Sequence, residues 1–442
     1  MRILLAVHHF PPKYSAGAEL YTMQLARELL RRGHEAEVVC VETLATTQPF
    51  GVRAEPDRYE GIPVWRLHLG LRDAPANWSY ANPAIEAWLR ERMRIWQPDI
   101  MHLHGGYLIG TGAITAAHAL GIATVVTLHD YWFLCPRITL LRGDGSLCQQ
   151  PPDDPAACAW CLQLDRRRYR LPEQISGGWA GRAWIKLAGK DGRDEQQARR
   201  DTLRSALAKV DMIIAPSRFL AGLFSEIIAP ERLTILRYGF DTSRFALVSP
   251  IQTGNRLRLG YIGQIAPHKG VHLLITALNS LPYNDVTAEL TIFGNPEQHP
   301  AYTRYLRRLI GDNPHIHLAG KFRHDQLPTV LSSVDVVVVP SIWYENSPLS
   351  IIEAHAAGRP VVTSRLGGMA ELVRDGVDGL HFTPNDSRDL ARQLQRLRTE
   401  KGLLQRLRDG IQPPPSIDDE MHALLERYTA LFERRGVERG RV

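Results

Sequence analysis

The chain is expected to fold as two doubly wound α/β domains facing each other across a cleft. Three observations carry that expectation. Short β-branched runs alternate with stretches of helical periodicity, the alternation breaks off between Tyr238 and Asn255 and then restarts, and the chain has 442 residues. A single hydrophobic core stops growing at roughly 250–300 residues, so two domains of about 200 residues each are the natural division. The boundaries read as 1–240 for a first Rossmann-like domain, 241–412 for a second, and 413–442 for a last helix crossing back onto the first.

The elements follow in order. Arg2 to Val7 is an apolar strand, Gly17 opens a helix with Leu20, Met23, Ala26 and Leu30 at helical spacing, Gly33 ends it, and Glu37 to Val41 returns as a strand. Further strands are expected at Asp99 to Leu103, Ala123 to Leu128 and Asp211 to Ala215, with a helix over Pro83 to Trp96. The second half repeats the style. Leu257 to Ile262 is a strand, Val271 to Leu278 a helix, Leu290 to Phe293 a strand and Tyr302 to Ile310 a helix. Gln412-Pro-Pro-Pro-Ser interrupts the pattern before a helix over Asp418 to Arg435. The halves show no close sequence copy of one another, so this is no repeat array.

Two glutamates stand out, Glu345 and Glu353, with seven residues between them. Asp335 to Pro340 is a continuous β-branched run, as expected of a parallel strand covered on both faces. Ser347 is expected to cap the following helix, with Pro348 in its first position and Gly358 and Pro360 ending it. At about 100° per residue, Glu353 shares a face with Leu349 and Ala356, the packed side. A buried, unpaired carboxylate loses several kcal/mol of solvation, so a polar ligand is expected to meet it. Ligands in open α/β sheets gather at the carboxyl ends of strands, where Glu345 and the amides of Ser347 to Leu349 fall.

Composition narrows the function classes. Hydrophobic content of 44% and charged content of 23% are ordinary for a globular protein, and a net charge of +6 suits anionic substrates or surfaces. No basic motif interleaved with aromatics is present, so no nucleic-acid partner is expected. The apolar run after Met1 turns polar at His8, too short for a signal peptide or a membrane span, and a cytoplasmic location follows.

Several segments together resemble the retaining nucleotide-sugar glycosyltransferases of the GT-B fold, family 4. They are the loop Pro11 to Glu19 containing Gly17, His129-Asp130 after a strand, Gly263 to Gly270 with Lys269, the block from Glu345 to Glu353, and Leu366-Gly-Gly-Met-Ala-Glu371. The glutamate block with its trailing Ala-Gly-Arg-Pro-Val-Val is highly specific. The resemblance implies transfer of a sugar from a UDP-, GDP- or ADP-sugar to a glycan, lipid-linked or small-molecule acceptor, with retention of configuration. It implies that Lys269 contacts the leaving diphosphate, that Glu353 accepts the ribose hydroxyls, and that Glu345 lies near the transferred sugar. His129 would touch the donor sugar, Gly17, Gly367 and Gly368 would let backbone approach phosphate or sugar, and Phe322 would flank the base. Where the family has arginine after Ile262-Gly263, this chain has Gln264, which donates hydrogen bonds but carries no charge. The chain has no convincing Asp-x-Asp pair, and no metal is expected to be needed for catalysis. A sugar-nucleotide epimerase and an idle sugar-nucleotide-binding module are the alternative readings. A dinucleotide oxidoreductase is disfavoured, because Gly110-Thr-Gly112 lacks the third glycine and its acidic partner.

Four of the five cysteines, Cys135, Cys148, Cys158 and Cys161, fall in one insertion whose prolines, Pro151, Pro152 and Pro155, read as loop. Cytosolic thiols stay reduced, so a structural zinc is favoured over disulfides, an iron–sulfur cluster or free thiols. The arginine-rich stretch Arg166 to Lys209, with Trp179, Trp184, Ile185 and Leu187, admits two readings. It is either a basic amphipathic surface for peripheral membrane contact or a charged face covering the core, and its uneven periodicity favours the second.

Overall fold

A computed structural model describes residues 1–187, 190–245, 248, 256–282 and 287–438. Parts of three stretches read from the sequence, at 188–189, at 246–247 and 249–255, and at 439–442 of the range given to the last helix, lie outside the described residues. The chain divides into two compact units, Met1–Leu236 with Met421–Val442, and Arg237–Glu420.

The first unit is built on an eight-stranded sheet. Its strands are β1 (Arg2–Val7), β2 (Glu35–Pro49), β3 (Gly51–Tyr59), β4 (Ile62–Arg72), β5 (Ile100–His104), β6 (Ala123–Thr127), β7 (Met212–Ala215) and β8 (Leu233–Ile235). They lie in the order β3-β4-β2-β1-β5-β6-β7-β8, all parallel except β3 against β4. Strands β5 and β6 are buried at every residue, as helix-covered parallel strands must be. The hairpin β3–β4 was not foreseen. Its outer strand carries alternating charge and Pro56, which hide a strand in the sequence, and an edge position tolerates both.

The second unit holds β9 (Arg256–Ile262), β10 (Thr287–Phe293), β11 (Ile316–Gly320), β12 (Val336–Val339), β13 (Val361–Ser364) and β14 (Gly379–Phe382). The order β11-β10-β9-β12-β13-β14, wholly parallel, is that of a doubly wound nucleotide-binding sheet. The winding reverses between β9 and β12, so the loops leaving their carboxyl ends lie side by side. Asp335 locks this pair: it is 1% exposed, accepts the Arg258 backbone N–H at 2.9 Å and pairs with the Arg258 guanidinium at 2.5 Å. The same device recurs in the first unit, where Asp99 accepts from Arg2 N and Asp211 from Thr124 N, each at 2.8 Å.

The insertion containing the cysteines differs from its reading as loop. Pro155 occupies the first turn of a helix, Pro155–Gln163, capped by Asp154, whose carboxylate accepts from Ala156 N at 3.0 Å. Proline suits that position because its missing N–H would have had no partner there. The last helix, Ile417–Glu438, begins in the second unit; from Met421 onward it belongs to the first, where Tyr428 is fully buried.

Candidate active site

In the second unit, the two loops at the reversal point meet through side chains. Lys269 Nζ donates to Glu345 Oε1 at 2.6 Å, and the same oxygen accepts from Ser341 Oγ at 2.8 Å and Trp343 Nε1 at 2.9 Å. Glu345 is only 7% exposed. Burial alone would raise its carboxyl, but Lys269 and the two neutral donors overcome this and hold it below the usual glutamate range. Lys269 also lies 5.2 Å from the centre of the Trp343 ring. Burial, then the Lys269 charge, push His268 down to about 4.

Backbone bonds knit the loops around this pair. Ile342 N donates to His268 O at 2.9 Å, and Gly368 N to Glu345 O at 2.7 Å. Gly270 has φ +70°, and a Cβ there would stand 1.9 Å from Pro340 O. At Gly368 a Cβ would stand 1.8 Å from Asn346 O. Both positions therefore require glycine for the close approach of one loop to the next. Gly367 and Gly368 begin a helix, Gly367–Leu372, with no side-chain cap.

The helix carrying Glu353 runs Leu349–Ala356 with Pro348 at its N-cap, one residue later than the sequence suggested. Ser347 does not cap it. Its hydroxyl is buried and without a hydrogen-bond partner among the described residues. Pro348 takes the cap position with φ −65°, so no side-chain acceptor serves the first-turn amides, Leu349 included. Such an uncapped start is a ready anion site.

Glu353 is 7% exposed, and no hydrogen bond or ion pair reaches its carboxylate among the described residues. Burial raises it to about 7, against a smaller lowering by Arg244. Gln264 is half-buried, and its carbonyl accepts from Tyr261 Oη at 2.6 Å. Phe322, past the end of β11, packs edge-on against Phe293 at 6.1 Å.

In the first unit, strand ends β1, β5 and β6 gather histidines. His104 Nδ1 and His129 Nε2 share a hydrogen bond at 3.1 Å. Burial, reinforced by the His8 charge, pushes His129 down to about 3, so its imidazole is neutral near pH 7. His102 is a satisfied core residue, bonded to Tyr428 Oη on one side and to Thr127 Oγ1 at 2.7 Å on the other. Gly17 opens the helix Gly17–Arg31, with open space where a Cβ would stand.

The sequence reading missed several groups. Ser341 and Trp343 sit four and two residues before Glu345; asking which donors a buried carboxylate needs would have found them. His8 Nε2 pairs with Glu19 Oε1 at 3.3 Å, both within or beside the first glycine-containing loop. Tyr428 lies 326 residues from His102 and left no local signal.

The thiols of Cys135, Cys148, Cys158 and Cys161 are free and partly buried, and burial pushes Cys148 up to about 11. Among the described residues, no three or more His, Cys, Asp or Glu side chains are placed so that they could hold a metal ion as they stand. The zinc expected from the cysteine spacing thus has no preformed site.

Comparison with known proteins decides the family. The model described as Glycosyltransferase Family 4 matches residues 15–244, and that described as Glycosyl transferases group 1 matches residues 249–412. The chain belongs to glycosyltransferase family 4. This family 4 protein is 24% identical over 425 residues to a glycogen synthase of Mycobacterium tuberculosis, covering 92% of this chain and 88% of the relative. It is 25% identical over 430 residues to an MMP alpha-(1->4)-mannosyltransferase of Mycolicibacterium hassiacum, covering 93% and 92%. Among solved structures, sucrose-phosphate synthase of Thermosynechococcus elongatus superposes with a TM-score of 0.65 at 18% identity, covering 98% of this chain and 99% of that one. Anabaena HepE in complex with UDP and glucose gives 0.63 at 18% identity, covering 97% and 100%. The fold is GT-B, and the family 4 enzyme is a retaining glycosyltransferase that moves a sugar from a nucleotide-sugar donor to an acceptor.

Proposed function

We propose that the second unit binds the nucleoside diphosphate of a UDP-, GDP- or ADP-sugar, with Glu353 accepting the ribose hydroxyls and Lys269 facing the diphosphate. The observation that carries this is Glu353, a buried carboxylate without a protein donor in the helix that starts at the sheet's reversal point. A carboxylate accepts and does not donate, so two adjacent hydroxyls match it in both number and sense. Phe322 flanks the base, and Gln264, Gly367 and Gly368 line the phosphate and sugar.

Chemistry then follows from the leaving group. As the bond from the anomeric carbon to the phosphate oxygen breaks, its electron pair goes to the diphosphate and the sugar gains oxocarbenium character. Lys269 and the uncapped helix start at Leu349 favour the charge developing on phosphate. In the structure Lys269 is engaged by Glu345, so an arriving diphosphate competes for it and frees Glu345 to face the transferred sugar. His129, a neutral imidazole, and Gly17 are assigned to the donor sugar and phosphate on the family resemblance. Lys269 and the helix-start amides stand in for a divalent ion, and turnover should persist in EDTA.

The test is a thermal-shift screen of UDP-, GDP- and ADP-sugars followed by transfer assays with the stabilising donor. One donor should raise the melting temperature, and no shift with any of them would overturn the assignment. His129→Ala should keep nucleotide-induced stabilisation while losing turnover.

A second reading concerns the acceptor. The later part of the arginine-rich stretch covers the core, with Leu203, Ala206 and Leu207 buried, whereas Leu171, Ile175 and Trp179 in its first part are exposed at 41%, 85% and 65%, beside exposed Arg166, Arg167 and Arg168. Trp184 is half-buried, 5.3 Å from Trp160. Apolar anchors among arginines suit an anionic membrane at the cytoplasmic face and a lipid-linked acceptor. No helix among the described residues is long and apolar enough to cross a membrane. Flotation with vesicles containing phosphatidylglycerol should recover the protein, and Ile175→Asp with Trp179→Asp should abolish recovery; equal recovery would refute it.

A further inference from the structure

The fold brings four thiols from separate segments into one neighbourhood. Cys135 lies in the turn after Trp132, where its N–H donates to Tyr131 O at 2.7 Å. Cys148 closes a short hairpin in which Leu141 bridges Leu147 and Cys148 N donates to Leu140 O at 2.8 Å. Cys158 and Cys161 are one helical turn apart on Pro155–Gln163. The hairpin tip presses on that helix: a Cβ at Gly143 would meet Cys161 O at 2.8 Å, and the Gly143 amide donates to the Cys161 sulfur. Cys148 lies within electrostatic reach of all three others.

Two guanidiniums stand beside the thiols. Arg199, 8% exposed, donates to Trp132 O and rests 5.5 Å over the Trp132 ring, and the thiols nearest its charge are Cys135 and Cys158. Arg200 donates to the carbonyls of Pro152 and Asp153 at 2.8 and 2.9 Å and to the Cys158 sulfur. Neither guanidinium forms an ion pair with a carboxylate among the described residues. Arg199 is buried within electrostatic reach of the Asp130 carboxyl, and Arg200 is half-buried; two guanidiniums beside the thiols can offset a site carrying two negative charges.

We propose that Cys135, Cys148, Cys158 and Cys161 bind one structural zinc ion as four thiolates. Binding exchanges four thiol protons for one Zn²⁺, leaving a net charge of −2 that Arg199 and Arg200 compensate. The side chains must draw together to enclose the ion, since they are not in ligand positions as they stand. With all four positions filled by protein, the ion holds the hairpin against the helix and has no open position for catalysis.

The full chain, purified without chelators from zinc-supplemented medium, should contain about one zinc per chain by plasma mass spectrometry. X-ray absorption should give four sulfur neighbours at about 2.3 Å. Cys158→Ser with Cys161→Ser should lose the metal; if that variant does not fold, the wild-type content and ligand shell decide alone. Metal below about a tenth of an equivalent, iron in place of zinc, nitrogen or oxygen in the ligand shell, or disulfides in the alkylated intact protein would each overturn the proposal. Removing the metal with a mercurial should leave in place the stabilisation by whichever of the UDP-, GDP- or ADP-sugars stabilises the untreated protein, which separates this result from the donor assignment.

Discussion

Replacing Glu353 with glutamine should stabilise the protein while weakening its hold on the donor. The carboxyl is raised from 4.5 to about 7, with burial as the main cause. Because the folded value exceeds the unfolded one, ionisation costs more in the folded state. The penalty is absent below about pH 4.5, grows as pH rises toward 7 and is complete above it. At about 1.4 kcal/mol per pH unit, a rise of this size amounts to about 3 kcal/mol at pH 8. Glu353→Gln keeps the shape and removes the charge, so urea denaturation at pH 8 should show a gain of about 2–3 kcal/mol, shrinking to nothing near pH 4.5. The same variant should bind nucleoside diphosphate about tenfold more weakly, as a charged acceptor is exchanged for a neutral one. A variant no more stable than wild type at pH 8, or with a gain independent of pH, would refute the reasoning.

Three further outcomes are expected. Lys269→Met should cost about 2–4 kcal/mol above pH 5, at the low end for a broken buried pair because Ser341 and Trp343 still donate to Glu345. Adding Glu345→Gln should recover most of it, so coupling near zero in the double-mutant cycle would contradict the pair. Since Glu345 is held below its usual range, the pair's contribution is present above the unfolded value and should fade as pH falls through the folded one. Gly368→Ala should destabilise by about 1–3 kcal/mol by forcing the loops apart, and unchanged denaturation with unchanged donor affinity would show that the close approach is dispensable. Tyr428→Phe should cost about 1–3 kcal/mol by leaving His102 Nδ1 buried without its partner, and a change under about 0.5 kcal/mol would remove that role.

The site was legible where chemistry and periodicity coincide locally. The Asp335 to Pro340 run announced a buried strand, and the helical phase of Glu353 announced a buried acid; both are observed. What the sequence hid depends on partners distant in the chain or on context that overrides composition. Pro155 reads as a loop marker until Asp154 is seen to cap a helix behind it. The edge strand Gly51–Tyr59 is polar because none of its residues is buried on either face, so no alternation of apolar residues develops. His102 finds its hydroxyl partner from the far end of the chain, a contact that spacing cannot express.

The central claim is that Glu353 reads the ribose of a nucleotide-sugar donor. Calorimetric titration of wild type and Glu353→Gln with the nucleoside diphosphate of the active donor, and with its 2′,3′-dideoxy counterpart, tests it directly. Wild type should prefer the ribonucleotide by about tenfold or more, corresponding to about 1.4 kcal/mol, and the variant should lose most of that preference. Equal discrimination by both proteins would place the ribose elsewhere and remove Glu353 from the donor site.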